Sequence, residues 1–223
     1  MPNESEGVSG LLVRLSTLGL VTAIVTKAQL AVDAMSKNEA AGPDLRDRLA
    51  RSQGLFVAPD VLPGALIPSG ACNGVFMARA PGSTEWYGPT FHLLGGVILG
   101  HRVERCPSTI LLLAMSDRGV NAFLQNYARL EGVGAAGKEP DILGFILSEA
   151  GCSRLSLDNA VVAGCDRLNR AAHRRDVTAA AVIRGTGPDP DQGPIDARFE
   201  TFMITLRASS WFPTSTRSSP PLR

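Results

Sequence analysis

Two groups of arginines are the residues of this chain best suited to chemistry at a surface. Arg167, Arg170, Arg174 and Arg175 crowd one short stretch together with His173, and Arg102 and Arg105 follow a glycine-rich stretch. A guanidinium presents a rigid fork of donors that matches phosphate in bidentate fashion, so arginines gathered on one helix face can grip an anionic lipid headgroup. The plainer reading is a solvated face balanced by Asp166 and Asp176. Acid–base, nucleophilic and metal chemistry have less to work with. The three histidines, His92, His101 and His173, lie in no H-E-x-x-H pattern and near no set of carboxylates. A zinc site built from His92, His101 and Cys106 is a weaker reading than two histidines at the surface or at hairpin edges. Ser69 and Ser83 sit in turns without a G-x-S-x-G elbow. Leu94 to Gly100 lacks the spacing of a dinucleotide fingerprint, and there is no Walker A sequence. These observations predict a non-enzymatic protein with no catalytic residue, no metal and no cofactor.

Composition sets the frame for those side chains. The 223 residues suit one domain with tails. Hydrophobic residues make up 44% and aromatics only 5%, so the core must come from Val, Leu, Ile and Ala. The net charge of +1 gives no whole-molecule field to attract nucleic acid, which is not expected as a partner. An anionic partner would have to meet a local basic patch. Cys72, Cys106, Cys152 and Cys165 form no C-x-x-C pair and read as small, buried or partly buried fillers. One or two disulfides are the alternative if the chain is exported.

Leu11 to Val25 is apolar except for Arg14. It falls short of the roughly 20 residues that span a bilayer. It has the size of a signal-peptide core, with a small residue, Ala28, ahead of Gln29. Glu4 and Glu6, and the lack of an early Lys or Arg, argue the other way. Three readings follow: a cleaved signal, an uncleaved anchor, or an amphipathic helix packed on the domain. The chain then divides into residues 1–28 as signal or apolar anchor, 29–185 as the folded domain, and 186–223 as a linker and largely disordered tail. With a signal the protein is expected in the periplasm or cell envelope; without one it is cytoplasmic and peripheral to the membrane.

Gln29 to Ser52 reads as helical. Leu30, Ala34 and Met35 form a first apolar face, and Asp44 starts a second helix that carries Leu45 and Leu49. From Gly54 to Met115 β-branched residues and glycines dominate. Strands are predicted at Leu55 to Pro59, Gly64 to Gly70, Gly74 to Ala80, Trp86 to Phe91 and Leu93 to Leu99. Asn73-Gly74 is read as a tight turn, and Gly95-Gly96 as a bulge or close backbone approach. Thr109 to Met115 is apolar throughout and predicts a strand buried on both faces. Ser116 offers an N-cap to a helix with Val120, Phe123, Leu124 and Tyr127 on one face. Strand-like pieces follow at Ile142 to Leu147, Arg154 to Leu157 and Ala160 to Ala163. A basic helix is predicted at Asp166 to His173, and Asp176-Val177-Thr178 caps a short one that ends at Ile183. This order predicts an α+β fold: N-terminal helices, a mainly antiparallel, glycine-rich, barrel-like sheet, and short C-terminal helices.

Three segments in series, GLFVAPDVLPGALIPSGACNGVFMAR (Gly54 to Arg79), EWYGPTFHLLGGVILG (Glu85 to Gly100) and TILLLAMSDRGVNAFL (Thr109 to Leu124), resemble the SYLF domain family, also called the Las-seventeen-binding actin regulator family. The pattern begins with a Gly-x-x-Val-x-Pro start and a glycine-rich hairpin, then a Trp-containing Pro-x-Phe segment. A Gly-Gly strand and an apolar strand closed by Met-x-Asp-Arg-Gly complete it. SRLSLDNAVV (Ser153 to Val162) and NRAAHRRDVT (Asn169 to Thr178) resemble the family's closing segments. Ser153 and Asn159 stand where the pattern has glycine, and His173-Arg174 where it has Tyr-Gly. Pro68 and Cys72-Asn73 depart from the usual hairpin, and Leu130 to Gly137 is shorter than its counterpart. The similarity runs from Asp44 to Gly185. It implies binding of anionic phospholipids, phosphoinositides in particular, through a basic surface and an adjoining amphipathic helix. The six arginines are then headgroup ligands. Actin-linked relatives carry an SH3 domain that this chain lacks. The alternative is a structural or partner-binding module with a protein partner and no direct lipid role.

Overall fold

In the computed structural model the described residues are 4–37, 42–61, 72–79, 85–96, 108–130, 140–148 and 151–185. A long helix α1 (Glu4–Lys37) and a short α2 (Gly42–Arg51) lead into strands β1 (Gly54–Val61), β2 (Cys72–Arg79), β3 (Trp86–Gly95) and β4 (Ser108–Ala114). Then come α3 (Asp117–Leu124), β5 (Tyr127–Arg129), β6 (Ile142–Ser148), β7 (Gly151–Leu155), β8 (Val161–Gly164), α4 (Asp166–His173) and α5 (Ala179–Arg184). The strands form one curled, half-barrel sheet in the order β5-β8-β3-β2-β1-β4-β6-β7. Every pairing is antiparallel. The α+β architecture expected from the element order is the one observed.

Side chains alternate across a strand, so each central strand feeds two cores. Leu55, Val57, Val75, Met77, Leu111, Leu113 and Phe145 meet α1, α2 and α4 on one face. Phe56, Ala58, Phe76, Ala78, Ile110, Leu112 and Ala114 meet α3 and α5 on the other. The helix layers therefore close both faces of an antiparallel sheet, and this accounts for the unbroken apolar run of β4. On the α3 side the ring of Phe123 stacks on Phe76 at 4.1 Å and on Phe56 at 5.5 Å between centroids.

Local chemistry explains the element ends. The Ser116 hydroxyl accepts from the Gly119 amide and the Thr178 hydroxyl from the Ala181 amide, capping α3 and α5 as expected. Asn73 and Gly74, expected in a turn, lie inside β2 opposite Leu93 and His92. A Cβ at Gly74 would stand 2.2 Å from the Phe56 ring, so glycine serves cross-strand packing there. Trp86 to Gly95 is one continuous strand where two were expected. Gly96 does mark a close approach: its φ is +70°, and a Cβ would meet the Asn159 carbonyl at 2.2 Å. The expected strand from Gly64 to Gly70, the segment 131–139 and the tail 186–223 lie outside the described residues.

Of the three N-terminal readings, a helix packed on the domain is the one the structure displays. α1 runs unbroken through Ala28, and Val21, Ile24, Val25, Ala28, Val32 and Met35 are buried on the sheet. Leu30 and Ala34, expected on the apolar face, point away from it, and Leu30 is 62% exposed. A bulge in β1 puts Asp60 in the left-handed region, where its carboxylate pairs with Lys27 of α1.

Candidate functional site

The basic stretch is positioned by α4, and α4 is positioned by one buried amide. The Phe91 amide of β3 donates to Asn169 Oδ1 at 2.8 Å, and Asn169 Nδ2 donates back to the Phe91 carbonyl at 3.2 Å. That side chain takes the place of a neighbouring strand where β8 ends and α4 begins. Leu168 and Ala172 fill the core beside it. Removing the amide orphans a buried N–H, which typically costs about 1–3 kcal/mol. Asn169→Ala should lower stability by that order, as read from the urea midpoint, while an unchanged midpoint would deny the amide its anchoring role.

At its far end α4 is held by His173, whose Nε2–H donates to the Pro89 carbonyl at 2.9 Å. Burial pushes this imidazole below the usual histidine range. The Arg175 charge adds to the shift, and the bond to Pro89 opposes it. Arg174 then ends the helix in the left-handed conformation, with φ of +50°.

With Leu168, Asn169 and Ala172 turned inward, Arg167, Arg170 and Arg174 face solvent and Arg175 is half-buried. Arg170 pairs with Asp176, and Arg175 is also engaged. Arg167 and Arg174 make no ion pair among the described residues. The structure thus gathers these four arginines at one helix. Arg102 and Arg105 lie outside the described residues, as do His101 and Cys106.

His92 corrects the expectation of a surface or hairpin-edge histidine. It is fully buried, edge-on to both Phe76 and Phe123. Nε2 lies 2.9 Å from Thr90 Oγ1, which donates to the Phe76 carbonyl, so the neutral ring donates through Nε2. Nδ1 has no partner. Burial lowers its pKa to about 3. Among the described residues no group of three His, Cys, Asp or Glu is placed to hold a metal ion. Cys72, Cys152 and Cys165 are free and partly buried, and burial raises the Cys72 thiol to about 11.

No protein-family model matches the chain, and no curated protein matches it. The family resemblance therefore rests on the residue patterns alone. Two of the departures from that pattern are informative. Asn159 and Arg174 stand where the pattern has glycine, and both have positive φ, +64° and +50°. The backbone at these positions adopts the conformation glycine favours, although glycine is absent.

The feature that sequence reasoning missed is the outer side of α1. Opposite its buried stripe, Ser16, Gly19, Ala23, Thr26, Leu30 and Ala34 are exposed. The exposed charge on that side, Lys27, is paired with Asp60. A helix that packs on one face of a soluble protein normally carries charge on the other, and between Ser16 and Met35 the outer side of α1 carries small, polar uncharged and apolar residues with Lys27 as its exposed charge. Its stretch Ser16–Met35, with a mean hydropathy of 1.4, is long and apolar enough to cross a membrane, and a signal sequence meets the same test. α1 lies against α4, so the solvent sides of the two helices belong to one helix layer.

Proposed function

We propose that the protein binds anionic phospholipid surfaces without catalysing a reaction, through the α1–α4 layer. The observation that carries this reading is the outer side of α1, where the one exposed charge among the described side chains, Lys27, is paired, beside the arginines of α4. Stable peripheral attachment takes two signals, an apolar contact and a basic one. Leu30 and the small residues around it supply the first, and Arg167 and Arg174, flanked by Arg170 and Arg175, supply the second. The inner stripe of α1 belongs to the sheet's core. The helix therefore stays with the domain and lies along the membrane surface, and the protein is peripheral to the membrane. The left-handed backbone at Asn159 and Arg174 supports the SYLF-type reading from which phosphoinositide-like headgroups follow as ligands.

Co-sedimentation of the full chain with vesicles tests this. Vesicles containing phosphatidylserine or phosphoinositide should carry the protein down at low salt, and binding should weaken as salt screens the arginines. Arg167, Arg170, Arg174 and Arg175 changed together to Glu should abolish most of it, and neutral vesicles should bind weakly. Binding that ignores salt and the four substitutions contradicts the arginines' role. No binding to any vesicle favours the partner-binding module, with α1's outer side as a protein contact.

A further inference from the structure

A second surface, independent of the lipid reading, lies on the opposite side of the sheet. β5 is a terminal strand, and no described strand lies beyond it. Its pairing with β8 fixes which main-chain groups are free. The Gly164 amide donates to the Asn126 carbonyl at 3.1 Å, and the Leu130 amide donates to the Ala160 carbonyl at 2.8 Å. Hydrogen-bonding direction alternates along an antiparallel strand, so Ala128 faces β8 with them. The N–H and C=O groups of Tyr127 and Arg129 therefore turn outward, to the open edge.

Beside β5 a groove of about 490 Å³ runs between the strand and α3. Arg118, Asn121 and Gln125 line it from α3 and its end, and Tyr127 and Arg129 from β5. Among the described residues no carboxylate lines it. Arg118 reaches Asp141 only at 3.6 Å, and its side chain is 83% exposed. Arg129 is exposed and makes no ion pair among the described residues. At the groove's border Arg184 of α5 donates to Asn121 Oδ1 at 2.9 Å, adding a third positive charge. Tyr127 is 59% exposed, a large amphipathic ring at the groove's rim.

We propose that the open edge of β5 docks an extended acidic peptide segment of a partner protein, which adds as a further antiparallel or parallel strand and sets carboxylates against Arg118 and Arg129. Strand addition supplies main-chain partners to Tyr127 and Arg129, and alternate side chains fall into the groove. A free anion would use the guanidinium groups and leave the strand's outward carbonyls without a donor. A second copy of this chain is disfavoured, because edge-to-edge pairing through β5 brings two arginine-lined grooves together with no described carboxylate between them.

The test uses the full chain and a fluorescein-labelled short peptide in which Glu alternates with Val, read by anisotropy. Binding is expected. Reversing both charges sets carboxylate against carboxylate, so Arg118→Glu with Arg129→Glu should weaken binding roughly tenfold or more. A peptide with Pro at its centre, which lacks one N–H, should bind far more weakly to the unchanged protein. Tyr127→Pro removes an outward N–H while Asn126 and Leu130 keep their bonds to β8, and it should have the same effect. Should that variant fail to fold, the Pro-containing peptide still decides the matter. Absence of peptide binding overturns the proposal. So does equal binding of the Pro peptide with competition by inorganic phosphate, which reduces the groove to an anion site. Concentration-dependent dimerisation that blocks the peptide and is lost in Tyr127→Pro overturns it in favour of an interface between copies.

Discussion

Deleting residues 1–28 should unfold this protein. The cut removes Val21, Ile24, Val25 and Ala28 from the core shared by α1, α2, α4 and the sheet, and exposes Leu55, Val57, Val75 and Met77 beneath them. Burying an aliphatic side chain of this size is worth about 1.5–3 kcal/mol, so losing the three larger ones costs on the order of 6 kcal/mol before the uncovered sheet face is counted. A domain of this size is stable by only about 5–15 kcal/mol. The shortened chain should therefore show no cooperative urea transition, or one at a much lower midpoint, where the full chain unfolds cooperatively. Val25→Asp should approach the same result by placing an unpaired carboxylate in the core. A 29–223 chain with the full-length midpoint would show that α1 is dispensable and restore cleavage at Ala28 as the better reading of the N-terminus.

Acid should unmask His92. In the unfolded chain its imidazole takes a proton near the ordinary value of 6.5, and in the fold burial holds it neutral down to about 3. Between those values the unfolded state binds more protons than the native one. Stability therefore falls as pH drops from 6.5 toward 3, and this contribution levels off below. Each pH unit of that window is worth about 1.4 kcal/mol, so the full loss is on the order of 5 kcal/mol. Carboxylates add their own slope, so the comparison that matters is with His92→Gln across urea midpoints at pH 7, 5.5 and 4. The variant should start lower, having lost its fit between Phe76 and Phe123, and should lose less on acidification. Parallel pH slopes for the two proteins would mean that His92 is hydrated and protonated normally.

The contrast between these two regions and the rest shows what one sequence can reveal. Caps and apolar runs were legible because their chemistry is local: Ser116, Thr178, the run ending at Ala114 and the helix Asp166–His173 all fell where residue type placed them. The register of α1 was not. Leu30, Ala34 and Met35 offered too few apolar positions to define a face, and apolar residues recur on both sides between Ser16 and Met35, so periodicity could not say which side packs. Asn73-Gly74 carried the strongest turn signal in the chain, and the ring of Phe56 across the sheet overrode it. His92 lay among glycines that looked like surface, yet two phenylalanines from separate elements, Phe76 and Phe123, close over it. The site is legible to the same extent. The arginines of α4, and Asp176 as a charge balancing them, could be named from sequence, but which arginine Asp176 pairs with, Arg170, and their nearness to α1 depend on contacts that no spacing encodes. The outward main chain of Tyr127 and Arg129 depends on which strand ends the sheet, a property of topology.

The central claim is that the outer side of α1 lies in a membrane surface, and a tryptophan at its most exposed apolar position tests it most directly. Leu30→Trp would be mixed with anionic vesicles containing lipids brominated along the acyl chain, with the unsubstituted protein as the baseline for Trp86 and Trp211. The account predicts a blue shift of the added emission and strong quenching by bromine near the headgroup, fading for bromine deeper in the bilayer. Emission at position 30 that stays unshifted and unquenched while the protein sediments with the vesicles would contradict it, and would leave α1's outer side to a protein partner.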